Sequence, residues 1–328
     1  MIFLKKPLII LTGPTAVGKT KLSISLAKAV NGAIISADSM QVYRHMDIGS
    51  AKIRPEEMRG VPHYLIDVLD PSEEFHVVKF VELAHEAMEK IYAAGQIPIV
   101  TGGTGFYIQA LLKEVDFTES HGELSIRKQL EEKAATEEGA AELYRELSEV
   151  DPASAETIHP NNVKRVIRAL EYYHETGQKI SEHNEEQKQK ESPYCSAYFV
   201  LNDERSILYD RIDRRVDQMI CDGLVDEVFR LKEMGYTRDL VSMQGLGYKE
   251  LFPYLAGECT LEEAVYIIKR DTRHFAKRQL TWFRREKDVI WLNKPDFDYD
   301  EEKILSYMLD RWNEIVSADA KEEGEQSC

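Results

Sequence analysis

The chain has 328 residues, of which 43% are hydrophobic, and a formal net charge of −16. That length allows one large domain or two ordinary ones, and the apolar share excludes wholesale disorder. No apolar run approaches the roughly 18 residues needed to cross a bilayer, and the negative average charge, taken alone, argues against a nucleic-acid partner.

The opening MIFLKKPLIILTG runs straight into a glycine-rich motif without a small-residue cleavage site, so it reads as a first strand and not as a signal peptide. Residues 8–12 (LIILT) are the expected first strand. A helix over 21–30 follows, with Leu22, Leu26, Ala29 and Val30 on one face, ended by Asn31-Gly32. Further strands are expected at 33–37 and 63–68. Val77, Phe80, Ala84, Ala87 and Ile91 then recur at helical spacing until Gly95. A fourth strand spans 97–101, followed by the turn GGTG and a short helix over 106–112. From about 123 to 177 there are helical segments and no good strand. The polar run 183–192 (HNEEQKQKES) reads as a flexible exit loop. A strand at 198–201, helices over 205–285 and a last short strand at 289–292 complete the chain.

Strands alternating with helices imply an α/β fold, a parallel sheet flanked by helices on both faces. The expected organisation is a P-loop core begun by 1–115, an all-helical insertion over 116–193, the rest of the core with basic helices over 194–295, and an acidic tail over 296–328. Four cysteines, Cys195, Cys221, Cys259 and Cys328, are widely scattered. They suggest neither a disulfide framework nor a zinc site, and the expected compartment is the cytoplasm.

The segment Gly13-Pro14-Thr15-Ala16-Val17-Gly18-Lys19-Thr20 matches GxxxxGK[ST] and lies between an expected strand and an expected helix. Such a loop turns backbone N–H groups inward as an anion nest at a helix N-terminus. Lys19 adds a formal charge, and the Thr20 hydroxyl can ligate Mg²⁺. A P-loop identifies a phosphate ligand and not a reaction. Nucleoside-triphosphate hydrolases hold their metal with an acid at the end of a second strand. The strand IPIVT ends in Gly102-Gly103-Thr104-Gly105 and carries no acid, whereas AIISA ends in Asp38. Ligands of such sheets bind beyond the carboxyl ends of the strands, so Asp38, Thr104 and the P-loop are expected to share one crevice. A turn cap is the ordinary reading of Asp38, and tight packing that of the glycines.

Arg211, Arg214 and Arg215 lie on one expected helix, with Arg211 and Arg215 four apart on a shared face. Guanidiniums of this kind suit a diphosphate, although ion pairing with Asp210, Asp213 and Asp217 accounts equally for their spacing. The charge is uneven. Between 269 and 287 there are eight Lys/Arg against two acids, and from 296 onward eleven acids against three bases. The segment 161–168 (NNVKRVIR) opens an amphipathic helix. The segment 242–249 (SMQGLGYK) offers Gln244 and the ring of Tyr248 to an unstacked base. Together these features make a local RNA site plausible on an acidic protein.

At this point the sequence resembles the tRNA dimethylallyltransferases, also called tRNA isopentenyltransferases. The resemblance rests on GPTAVGKT (13–20), DSMQVYRHMDIGSAK (38–52), GGTGFY (102–107), IHPNNVKRVIRALE (158–171), QGLGYKE (244–250) and TRHFAKRQLTWFR (272–284). It is of the bacterial type, without the zinc finger of larger eukaryotic members. The resemblance implies dimethylallyl diphosphate in the P-loop, where sequence labelling often writes ATP, and an acceptor adenine just 3′ of the anticodon of tRNA. It implies that Asp38 is the general base, and that Asp38, Ser39, Met40 and Gln41 meet the tRNA. Thr104, Arg127, Asn162, Val163, Lys164, Arg165 and Val166, with Gln244, Gly245, Leu246, Gly247, Tyr248 and Lys249, are the further implied tRNA contacts. Arg215, with Arg211 second, belongs to the implied diphosphate site. The expected partners are the anticodon stem-loop, which the insertion would grip, and the isoprenoid diphosphate. No membrane and a monomer are expected. A P-loop kinase using ATP on a small metabolite, and a non-catalytic RNA-binding nucleotide switch, are the competing readings.

Overall fold

The computed structural model describes residues 5–115 and 124–326. The expected insertion boundary at 116, and Cys328, lie outside them. The chain divides into two compact units, residues 1–112 with 193–328, and Lys113–Ser192.

The larger unit is built on six strands: β1 (Lys6–Thr12), β2 (Gly32–Ala37), β3 (His63–Tyr64), β4 (Ile97–Gly102), β5 (Tyr194–Asn202) and β6 (Ile290–Asn293). They pair in the order β3-β2-β4-β1-β5-β6, every pairing parallel. Side chains of a strand alternate between faces, and the two apolar clusters follow that alternation. Leu8, Ile10, Ala33, Ile35, Val100, Tyr198 and Val200 enter one cluster. Ile9, Leu11, Ile34, Ile99, Ala197, Phe199 and Leu201 enter the other. Burial on both faces is why the strands read as continuous apolar runs.

Four elements differ from expectation. Only two residues of the run 63–68 form a strand, because Leu65 (φ 63) and Asp67 (φ 55) turn left-handed and break the extended chain. The first helix begins at Lys19, directly on Gly18, and not at 21. The run 183–192 is no loop over most of its length, since a helix spans Ile180–Gln189. Its Glu, Gln and Lys residues are good helix formers, and low hydrophobicity concealed that. Finally, the acidic tail is a 26-residue helix, Glu301–Gln326. Ile304, Met308, Trp312 and Val316 recur every four residues and are buried in the second cluster. The acids occupy the other faces of an amphipathic helix.

Unit Lys113–Ser192 is helical throughout its described residues. Its own core holds Leu130, Leu143, Leu147, Val166, Ile167 and Leu170. Asp151 is 1% exposed and caps the helix Pro152–Thr157 by accepting from the Ser154 N–H. It also accepts from the Ser154 hydroxyl and from the N–H and hydroxyl of Ser181, which ties down the start of Ile180–Gln189. Among the described residues of both units, no helix is long and apolar enough to cross a membrane.

Candidate functional site

The P-loop follows β1 directly. Thr12 is buried and its hydroxyl donates to the Gly102 carbonyl at 2.7 Å, locking the ends of β1 and β4 together. Gly13 has φ 147, and a Cβ there would meet the Leu201 carbonyl oxygen at 2.3 Å, so only glycine lets the loop pass the end of β5. Ala16 is held at φ 62, backbone strain of the kind that collects at ligand loops. Val17 is fully buried and anchors the loop from below, and Gly18 (φ 104) opens the helix Lys19–Ala29.

Thr15, Ala16, Gly18, Lys19 and Thr20 line one wall of a cavity of about 410 Å³. Asp38, Arg211 and Arg215 line it from other elements. The Lys19 ammonium donates to the Gly13 and Pro14 carbonyls, each at 2.9 Å. Burial pushes Lys19 down to about 7, Asp38 pulls it upward, and Arg215 depresses it further. Burial likewise lowers Arg215, against an upward pull from Asp38. These responses mark a site with more cationic character than its own carboxylate neutralises, as an anion receptor requires.

The two arginines separate here. Arg211 donates to the buried Asp203 carboxylate at 2.6 Å and is largely committed to that pair. The carboxylates near Arg215 in sequence are taken by others: Asp210 by Arg214, Asp213 by Arg273, Asp217 by Lys269. Among the described residues, Arg215 has no hydrogen-bond or ion-pair partner, and its side chain faces the cavity.

Asp38 follows β2. Its Oδ1 accepts from the N–H groups of Met40 (2.8 Å) and Gln41 (3.4 Å), so the turn-cap reading is realised by one oxygen. Among the described residues the other oxygen has no donor. The Gln41 amide accepts from Ser36 and donates to the carbonyls of Ser50 and Ala51, which holds the loop around 50 as a further wall. The strand beside β1 is β4, and it ends in Thr101 and Gly102, with no acid. Among the described residues no three His, Cys, Asp or Glu gather as a metal site. Thr20 and Asp38 share the cavity, and that donor set fits a Mg²⁺ carried largely by substrate phosphates and water.

A second cavity of about 430 Å³ shares Thr15, Asp38, Gly103 and Arg215 with the first. Ser39, Met40, Thr104, Gln244, Gly245, Leu246, Gly247 and Lys249 also line it. The expected acceptor-side residues of the larger unit therefore converge, with one exception. Tyr248 is fully buried and donates to Glu227 at 2.7 Å, so its ring offers no stacking face to a base. Gly49 lies against that ring, and a Cβ there would sit 2.5 Å from it. Glu227 also accepts from the N–H groups of Asp47, Ile48 and Gly49, and so fixes both loops.

The insertion is treated by itself. Asn162 caps the helix Val163–Thr176, and Lys164 and Arg165 are exposed, with no ion-pair partner among the described residues. Val166 is 1% exposed and belongs to the helical core, which removes it from any surface contact; Val163 is half-buried against the same core. Arg127 and Arg168 both reach the buried Glu171 carboxylate, at 3.5 and 3.0 Å, and Arg127 also bonds Glu131. Arg127 thus has a full structural role where the sequence showed no distinctive motif.

Sequence reasoning missed Phe275 and Gln279, which line both cavities. They lie on the helix Leu261–Phe283, which it read only as basic. Of that cluster, Lys269, Arg270 and Arg273 are ion-paired. Lys277, Arg278, Arg284, Arg285 and Lys287 are exposed without ion pairs among the described residues.

Comparison with known proteins supplies the context for this geometry. Residues 41–286 match the family model described as IPP transferase. A protein of Lachnoclostridium phytofermentans named tRNA dimethylallyltransferase is 66% identical over 93% of this chain and 96% of its own length. One of Acetivibrio thermocellus with the same name is 51% identical over 92% and 96%. Among solved structures, a full-length tRNA isopentenylpyrophosphate transferase of Bacillus halodurans superposes with TM-score 0.73 at 45% identity, covering 98% of this chain and all of that one. A eukaryotic dimethylallyltransferase captured acting on tRNA superposes with TM-score 0.76 at 35% identity, over 88% of this chain and 74% of its own.

Proposed function

The chain belongs to the IPP transferase family, the tRNA dimethylallyltransferases, and we propose that it moves a dimethylallyl group from dimethylallyl diphosphate to the exocyclic amine of the adenine 3′ of the anticodon in tRNA. The observation that carries this reading is one cavity lined by the P-loop, the unpaired Arg215 and Asp38. A phosphate cradle and a carboxylate base stand together there, and the neighbouring β4 ends without the acid that phosphoryl-transfer enzymes place beside their P-loop.

An aromatic amine is a weak nucleophile, so assistance comes from both sides of the reaction. The bond between the allylic carbon and the diphosphate oxygen breaks, and its electron pair leaves with diphosphate. P-loop N–H groups, Lys19 and Arg215 stabilise that developing charge, with Arg211 at the edge of the site. The bond from the amine nitrogen to the same carbon forms, and the proton released passes to the Asp38 carboxylate. Mg²⁺, held by the Thr20 hydroxyl and substrate oxygens, would withdraw further charge from the leaving group. The target adenine must leave its stack to enter the crevice. Ser39, Met40, Thr104, Gln244 to Gly247 and Lys249 line the cavity that would receive it. Lys164 and Arg165 of the insertion would contact RNA phosphates, as would Arg278, Arg284, Arg285 and Lys287 of the larger unit. We propose a cytoplasmic monomer with no membrane association.

Calorimetry with Mg²⁺ tests the ligand. Dimethylallyl diphosphate is expected to bind more tightly than ATP. Tighter ATP binding, with label transferred from ATP to a metabolite, would establish the kinase instead.

A further inference from the structure

We infer that Gln279 is a positioning residue for the transfer, a clamp that fixes the P-loop against the second glycine turn; this rests on the function proposed above. Gln279 lies in the helix Leu261–Phe283 and is 6% exposed. Its Oε1 accepts from the Thr15 N–H at 2.9 Å, and its Nε2 donates to the Gly103 carbonyl at 3.0 Å. An N–H needs an oxygen and a carbonyl needs an N–H, so one orientation of the amide serves both partners and the flipped one serves neither. The partners lie 264 and 176 residues away in the chain.

Both partners are walls of the reaction site. Thr15 belongs to the loop that cradles diphosphate. Gly103 continues into Thr104, whose N–H donates to the Ala37 carbonyl directly before Asp38. One side chain therefore links the leaving-group loop, through Gly103 and Thr104, to the strand end that presents the base. The Gly103 position fits this role, because a Cβ there would lie 2.1 Å from the Gln279 amide nitrogen. The helix has other anchors in the core, namely Ala264, Ile268, Ala276 and Phe283, so it does not depend on Gln279 to stay in place. What the amide sets is the spacing between donor and acceptor, and displacement of about 1 Å at a reacting centre costs ~10²-fold in rate.

The test uses Gln279→Met, which keeps length and removes both hydrogen bonds, and Gly103→Ala, which leaves the helix untouched and displaces the amide. Three quantities are measured: kcat and KM with tRNA and dimethylallyl diphosphate, circular dichroism, and the calorimetric affinity for Mg-pyrophosphate, which needs no turnover. Each variant is expected to keep the wild-type spectrum, lose ~10- to 10²-fold in kcat, and bind pyrophosphate several-fold more weakly. KM for tRNA is expected to stay within about twofold, and the double variant to be far from additive, as for residues in one network. Wild-type kcat and pyrophosphate affinity in Gln279→Met would overturn the inference, as would a kcat loss matched by an equal loss of folded protein. Should Gln279→Met not fold, Gly103→Ala decides by the same readouts. Absence of transfer to tRNA by the wild type would defeat the proposed function, and the pyrophosphate measurement would still decide whether Gln279 sets the P-loop.

Discussion

Asp38→Asn keeps an acceptor for the Met40 N–H and removes the carboxylate, so it separates the turn from the chemistry. Single-turnover transfer is expected to slow by ~10²–10⁴-fold, with pyrophosphate affinity within a few-fold; near-normal transfer would remove Asp38 from the proton path. Lys19 makes diphosphate binding pH-dependent. Its ammonium titrates at about 7 in the protein, and a bound diphosphate raises it by adding negative charge. Binding therefore takes up a proton above about 7. Affinity is expected to fall as pH rises through that value, by at most ~10-fold per unit. Lys19→Met should lack this component when calorimetric profiles from pH 6 to 9 are compared, a window about the value cited; identical profiles would place the titration elsewhere. The P-loop and Asp38 are legible in the sequence because their chemistry is carried by adjacent residues. Arg215 was one of three arginines among three aspartates, and only the fold reveals that Arg214, Arg273 and Lys269 occupy those carboxylates. Tyr248 shows the opposite failure, since its burial depends on Glu227 and Gly49, both remote in the chain.

The helix Glu301–Gln326 changes what its acidic composition means. Trp312 is 5% exposed among the core residues of the second cluster. Trp312→Ala is expected to lower unfolding free energy by ~3–5 kcal/mol, the usual cost of deleting a buried aromatic. Denaturant titration checks this, and a change under about 1 kcal/mol, typical of exposed sites, would return the segment to a surface tail. Charge counting missed this helix because its acids and its apolar stripe share one segment, and only the four-residue recurrence of Ile304, Met308, Trp312 and Val316 separates them. The insertion has its own titratable anchor. Burial raises Asp151, but bonds from Ser154 and Ser181 outweigh that and hold its carboxyl below the ordinary 3.8. Its contribution is therefore present above 3.8 and lost as pH falls through the depressed folded value. Asp151→Asn should be less stable than the wild type near neutrality, and the gap should narrow in acid; a gap independent of pH would rule the carboxylate out as its source. The strands were legible because two buried faces leave continuous apolar runs. The short β3 was not, since the left-handed Leu65 and Asp67 leave no mark on hydrophobicity.

A net charge of −16 and an RNA substrate are reconciled by distribution. The cations without ion-pair partners are local: Lys164 and Arg165 on the insertion, and Lys277, Arg278, Arg284, Arg285 and Lys287 on the larger unit. Affinity for tRNA is expected to fall with salt, with a log–log slope of about −0.7 to −0.9 per phosphate contact. Replacing Lys164 and Arg165 by Ala should flatten the slope by one to two such increments, as principle dictates for lost phosphate contacts, and leave dimethylallyl diphosphate affinity unchanged. An unaltered slope would make that pair a solvated helix face. The composition alone concealed this pattern, because it averages cations already paired with those left free. The most direct measurement incubates the protein with Mg²⁺, unmodified tRNA and dimethylallyl diphosphate labelled in its allyl group, with labelled ATP in parallel. The account predicts label from the isoprenoid on the adenine 3′ of the anticodon, and none transferred from ATP. RNA left unlabelled by the isoprenoid, with phosphate moved from ATP to a small acceptor, would contradict it.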